Sequence, residues 1–120
     1  MIEVQGRTKH KKLVEDYILN LVKELGIDQR RKWSLTVSFK SRVEDDCMGV
    51  CIDDPDKDFD IELARIVSTG RVNFYEQMQT LAHEMVHVKQ FFEGVYPSER
   101  EAKTLEYGLF AKCFPWSELP

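Results

Sequence analysis

The sequence of 120 residues has too few cysteines for a disulfide framework: three, Cys47, Cys51 and Cys113. With an odd number of thiols and no export signal ahead of them, reduced cysteines are expected. Cys47 and Cys51 stand in a C-x3-C spacing with no second pair nearby, so burial is a better reading of them than metal ligation. Long apolar runs are missing too. None approaches the roughly 20 residues that span a bilayer, and the opening MIEVQGRTKHKK lacks the apolar core of a signal peptide. A cytoplasmic protein is expected. A surplus of positive charge is also absent: 17 Lys and Arg face 21 Asp and Glu, a net charge of −4. That argues against a general nucleic-acid binder, which needs a basic stripe to displace counterions. Repeats, linkers and low-complexity tracts are lacking. What remains, 42% hydrophobic and 32% charged, is the balance of one soluble globular domain over residues 1–120 with a modest core. A monomer is expected.

The apolar residues Leu13, Val14, Tyr17, Ile18, Leu21, Val22 and Leu25 recur at helical steps from about Thr8 and stop at Gly26. WSLTVSFK alternates, with Trp33, Leu35, Val37 and Phe39 on one face, as a half-buried strand does. MGVCID reads as a second strand and DFDIELARIV as a third, with Phe59, Ile61 and Leu63 inward, until Ser68-Thr69-Gly70 breaks the pattern. A second helix starts at Asn73, whose side chain can cap it while Glu76 completes a capping box. Phe74, Met78, Leu81, Met85, Val88 and Phe92 form its core-facing seam, and Gly94 ends it. A third helix follows, with Ala102, Leu105, Leu109 and Cys113 on one stripe. The expectation is an α+β domain: an N-terminal helix, a small three-stranded antiparallel sheet, then two helices.

Histidine is scarce, with three in the chain, yet two of them fall four residues apart in TLAHEMVHVKQ. On a helix His83 and His87 sit one turn apart, so both imidazoles can reach one ion at about 2.1 Å. At about 100° per residue the pair lies nearly opposite Leu81 and Met85, so one face can be buried while the other lines a cleft. Glu84 falls on the flank of the histidine face, where a carboxylate can serve a water activated by the ion. This is the mechanical content of H-E-x-x-H. The uncharged Thr80, Leu81, Ala82, Met85, Val86 and Val88 around the pair suit a partly dry site. The other histidine, His10, is far upstream, so a carboxylate must supply the third ligand, and the next helix offers Glu99, Glu101 and Glu106.

HEMVHVKQ followed by PSEREA resembles the gluzincin metallopeptidases, among them the small H-E-x-x-H proteins of bacteria and phages and the ImmA/IrrE-type peptidases. The likeness covers about residues 80–111 and the order of elements before them. It implies a minimal zincin-like domain, Zn2+ as cofactor, and a peptide or protein substrate. His83 and His87 would then be metal ligands, Glu84 the catalytic glutamate, and Glu99, three residues before Ala102, the third ligand. Lys103 stands where such families often place Asp or Asn, and Lys89 where they place an apolar residue. Read physically, Ser98 and Glu101 form S-x-x-E, which gives Glu101 a capping task. Helical side chains lean toward their own N-terminus, which instead favours residues later than Glu99. Glu101 and Glu106 therefore stay open as alternatives.

The expected function is that of a zinc metalloendopeptidase, its substrate added to an exposed edge strand at Asp58 to Val67. The alternative is a metal-stabilised protein-binding module without general peptidase activity. Asp54, Asp56, Asp58, Asp60 and Glu62 alternate without the central glycine of a calcium loop. They read as the solvated face of a strand, or as an acidic wall that prefers basic substrates. Tyr96 and Tyr107 read as packing residues, with oxyanion donation as the alternative role. The tail CFPWSELP is expected to pack Phe114 and Trp116 onto the body.

Overall fold

The structure, a computed structural model, describes residues 2–27, 32–53 and 58–119. Its first element escapes the sequence reading: Ile2–Gly6 forms a strand, β1, with Val4 buried and Glu3 and Gln5 outside. Helix α1 (Lys11–Glu24) follows, burying Leu13, Val14, Tyr17, Ile18, Leu21 and Val22 and leaving Leu19 exposed. Gly26, with φ 69°, ends it in a conformation open to glycine. Strand β2 (Ser34–Lys40) then runs parallel to β1, with Val4 beside Val37. Parallel pairing needs a crossover of this kind, and α1 provides it.

Strands β3 (Gly49–Asp53) and β4 (Asp58–Ala64) pair antiparallel, but β4 also inserts next to β2 and parallel to it, with Val37 beside Ile61. The sheet is four-stranded and mixed, in the order β1-β2-β4-β3. The three-stranded antiparallel sheet expected from the sequence is corrected in this respect. A five-residue strand with one fully buried side chain is too short to declare its period. Without it, no strand–helix–strand unit is visible in the sequence.

The strand expected through Val67 is also shorter. It stops at Ala64, Arg65 bends away, and β5 (Ile66–Val67) forms a separate hairpin with β6 (Gly70–Arg71). Strand β4 is bonded to a neighbour on each side, so Asp58–Val67 is not an open edge; the edge at that end of the sheet is β3.

Leu35, Val37, Phe39, Phe59, Ile61 and Leu63 are buried on one face of the sheet, while Asp58 and Asp60 are exposed on the other. Glu62 on that outer face pairs with Lys40, and Asp58 accepts from the Ser34 hydroxyl at 2.6 Å. The acidic residues there are thus the solvated face of the strand; Asp54 and Asp56 lie outside the described residues.

Helix α2 (Phe74–Glu93) crosses β3 and β4, and α3 (Glu99–Cys113) packs on α2 and α1. The start of α2 is capped as expected: Asn73 Oδ1 accepts from the Glu76 amide at 2.8 Å, and the Glu76 carboxylate accepts from the Asn73 amide at 3.4 Å. Gly94, with φ 68°, closes it. Met78, Leu81, Met85 and Val88 are buried; Phe74 and Phe92 pack partly exposed at the two ends. On α3 the buried stripe is Ala102, Leu109, Phe110 and Cys113; Leu105, expected in it, is exposed. The tail packs as expected, with Phe114 buried against Tyr17 and Trp116 stacked on Tyr75. The buried Tyr17 hydroxyl donates to the Met78 carbonyl at 2.8 Å and so ties α1 to α2. No helix among the described residues is long and apolar enough to cross a membrane.

One glycine controls the turn from β1 into α1. Gly6 has φ +90°, and a Cβ there would lie 2.2 Å from the Phe39 carbonyl oxygen. Gly6→Ala should therefore cost about 2–4 kcal/mol, since backbone strain and a backbone clash add. Urea unfolding of the variant against the wild type checks this, and a loss below about 0.5 kcal/mol, the size of an ordinary surface change, would contradict it.

Candidate metal centre

Helix α2 comes close to β3 because Gly49 has no side chain: a Cβ there would meet Thr80 Cγ2 at 2.6 Å. That approach sets the middle of α2 beside the edge strand. A cleft of about 880 Å³ opens between them, with Val50, Cys51, Phe59, Phe91 and Val95 as apolar walls and His83, Glu84, His87 and Glu99 on its polar side. One ligand atom each from His83, Glu84 and His87 lies within 4.8 Å of the others, a group able to hold a metal ion.

The hydrogen bonds fix which atoms of the imidazoles are available. Gln90 is 1% exposed. Its amide nitrogen donates to the Ser98 carbonyl at 3.2 Å and to the Glu101 carboxylate at 3.0 Å. Its oxygen accepts from the Ser98 amide at 3.1 Å and lies 2.9 Å from His87 Nδ1. An amide oxygen only accepts, so Nδ1 must carry the proton and Nε2 the lone pair. His83 is arranged alike: Nδ1 lies 3.4 Å from Glu106 Oε1, and the other oxygen of Glu106 accepts from Gln79 at 3.1 Å. Such outer partners set the tautomer and orientation of metal-binding histidines.

Both Nε2 atoms face Glu99. Its oxygens lie 3.0 Å from His83 Nε2 and 2.6 Å from His87 Nε2. The shorter contact lacks hydrogen-bond geometry, and His87 Nε2 is buried without a hydrogen-bond partner among the described residues. Distance and angle thus disagree about that pair, and the angle decides: the lone pair is not satisfied by Glu99. Two imidazole lone pairs and a carboxylate converge on one place, which is favourable only with a cation between them, a proton or a metal ion. The donor set fits a metal of the zinc type, which takes nitrogen and carboxylate ligands.

The carboxylates near the two imidazoles differ in their surroundings. Burial pushes the Glu84 carboxyl above its usual range, Glu99 and Glu106 add to this, and the two imidazoles oppose it. Partial burial would raise Glu99 too, but His83 and His87 more than offset it and hold the carboxyl below its usual range. Glu101 stands apart. The Ser98 hydroxyl accepts from the Glu101 amide at 3.1 Å, but the reciprocal half of the expected capping box is absent, because the Ser98 amide donates to Gln90 instead. The Glu101 carboxylate meets Gln90 and neither imidazole.

Tyr96 and Tyr107 are 92% and 68% exposed and do not line the cleft, so neither the packing nor the oxyanion role fits. His10 packs its ring against Phe74, away from the site. Of the expected buried cysteines, Cys113 is buried and Cys51 partly so, but Cys47 is exposed at the cleft mouth. Gln90 was missed in the sequence. The available signal was its place three residues after His87, on the same helical face. No family model, curated protein or solved structure matches the chain.

Gln90→Leu keeps the volume and strands buried groups on Ser98 and His87, so a loss of about 2–3 kcal/mol is expected in urea unfolding. A neutral result would contradict the network. Burial pushes the Cys51 thiol up to about 12 and raises that of Cys113. Little of Cys51 is therefore thiolate at pH 8. Brief iodoacetamide treatment of the folded protein should thus label Cys47 well ahead of Cys51 and Cys113, as peptide mass mapping reads out. Labelling of Cys51 should rise with pH.

Proposed function

We propose that the chain is a zinc-dependent endopeptidase. The observation that carries this reading is the convergence of His83 Nε2, His87 Nε2 and the Glu99 carboxylate beside the buried Glu84. Two imidazoles and one carboxylate are the ligand set of catalytic zinc sites that keep a fourth position open. His83, His87 and Glu99 would hold the ion. Glu84 competes with Glu99 for the third place, since it too lies near both histidines. Glu99 is favoured because both of its oxygens lie on the Nε2 side of the rings, where the lone pairs point.

When bound there, zinc polarises a carbonyl and lowers the pKa of water. Glu84 takes the proton of the attacking water and passes it to the leaving amine. Its burial on the cleft side of the helix keeps the carboxylate at the reacting centre and away from bulk water. Glu106 and Gln90 hold the rings in orientation from behind. The substrate is an extended peptide laid along β3, which contributes Gly49, Val50, Cys51 and Asp53 to the cleft and is bonded on its other side to β4. Phe59, Phe91 and Val95 favour an apolar side chain at the cut.

A binding module stapled by metal is the second reading. It is favoured by Glu99 joining the start of α3 to α2, so that an ion would fasten the hairpin. Elemental analysis and peptide turnover separate the two. The wild type should carry one zinc. Glu99→Gln should weaken zinc affinity at least about tenfold, whereas Glu84→Gln should keep zinc and lose about 10²–10⁴ in cleavage rate. Glu106→Gln should keep zinc with affinity reduced by about tenfold, and Glu101→Gln should keep it unchanged. Absence of zinc from the wild type, or full retention by Glu99→Gln, sinks this assignment. Zinc with no Glu84-dependent turnover of any peptide leaves the binding module.

A further inference from the structure

A second cavity, of about 750 Å³, shares no lining residue with the metal cleft. It sits where the three parallel strands end: Arg7 follows β1, Ser41 follows β2 and Arg65 follows β4. Thr8, Lys9, Arg71 and Gln77 complete its polar lining, so four cations gather there, and no carboxylate is among the described residues that line it.

This concentration runs against the chain's own charge. Acidic residues outnumber basic ones, and four cations elsewhere lie against carboxylates, in Lys12–Asp16, Lys40–Glu62, Lys89–Glu93 and Lys112–Glu24. Among the described residues, Arg7, Lys9, Arg65 and Arg71 have no carboxylate within ion-pair distance. Arg65 is oriented all the same. Its Nη1 donates to the Phe39 carbonyl at 2.8 Å and its Nη2 to the Ser41 hydroxyl at 2.9 Å. Both acceptors are neutral, so the guanidinium is positioned without its charge being compensated. Held cations that repel one another lower stability unless an anion joins them.

We propose that this cavity binds a small phosphate-bearing ligand. Guanidinium forks match phosphate oxygens in pairs, and the hydroxyls of Thr8 and Ser41 add neutral donors. A single carboxylate would leave most of the four charges uncompensated, whereas a phosphate monoester brings about two negative charges and a diphosphate more. The volume falls in the range of small-molecule sites. Ligands in sheets with parallel strands favour the carboxyl ends of those strands. The net negative charge of the chain disfavours a long polyanion, which would extend beyond the cavity. The proposal stands apart from the metal centre, and its failure would leave the peptidase reading untouched.

Calorimetric titration of the whole protein at constant ionic strength, after chelation so that no metal contributes, tests this. The probes are inorganic phosphate, pyrophosphate, ADP, sulfate and a single-stranded oligonucleotide. Saturable pyrophosphate binding with Kd below about 1 mM is expected. The Arg7→Gln/Arg71→Gln double variant should weaken it at least about tenfold, while its ligand-free melting temperature equals or exceeds that of the wild type and its zinc content is unchanged. ADP binding tighter than pyrophosphate would assign the source to a nucleotide-like molecule, and equal binding to the phosphate groups alone; either supports the proposal. It is overturned if pyrophosphate does not saturate, if the double variant binds as well as the wild type, or if sulfate binds equally. Tighter and steeply salt-dependent binding of the oligonucleotide would overturn it in favour of a nucleic-acid surface.

Discussion

A primary amide buried to 1% exposure must find partners for two donors and two lone pairs, and at Gln90 those partners are Ser98, Glu101 and His87. Each bond does something different. The pair to the Ser98 backbone fastens the end of α2 to the beginning of α3 and so sets the pitch of the helical hairpin. The bond from the amide nitrogen draws off the Glu101 carboxylate. The remaining lone pair takes the Nδ1 proton of His87 and leaves Nε2 turned toward Glu99. Partners of a buried amide cannot be exchanged cheaply, because each unmade bond costs about 1–3 kcal/mol. The arrangement of the candidate metal site follows from that constraint.

Four glutamates near α2 and α3 show how environment divides one chemistry into several. Glu84 is buried and its carboxyl is raised. Glu99 is open to solvent and held down by two imidazoles. Glu106 is shielded and bonded to His83 and Gln79, and Glu101 is claimed by Gln90. Burial, neighbouring charge and hydrogen bonding differ at each, although the side chain is the same. The molecule also separates its charge. Carboxylates and imidazoles meet at the β3 edge, while unpaired cations gather at the ends of the parallel strands.

Local patterns in the sequence determined a good deal. The periods that built α1, α2 and α3 were long enough to outvote noise, and Asn73, Glu76 and Gly94 bounded α2 as their side chains and backbone preferences require. Residues four apart on a helix share a face whatever the rest of the chain does, so His83, Glu84 and His87 were bound to come together once α2 formed. The single-face alternation of β2 and β4 was legible for the same reason: its period is local.

Tertiary structure decided whatever depended on residues far apart in the chain. Strand order is one case: β4 enters between β2 and β3, which moves the open edge from Asp58–Val67 to Gly49–Asp53, and no period encodes which neighbours a strand will take. Which of Glu99, Glu101 and Glu106 faces both Nε2 atoms is another. It turned on how α3 meets α2, and that angle is set by Gln90 and Ser98 rather than by any helical repeat. The cavity of Arg7, Lys9, Arg65 and Arg71 is a third, since its members are up to 64 positions apart (71 − 7 = 64). The parallel strands, ending side by side, and the β5–β6 hairpin bring them together.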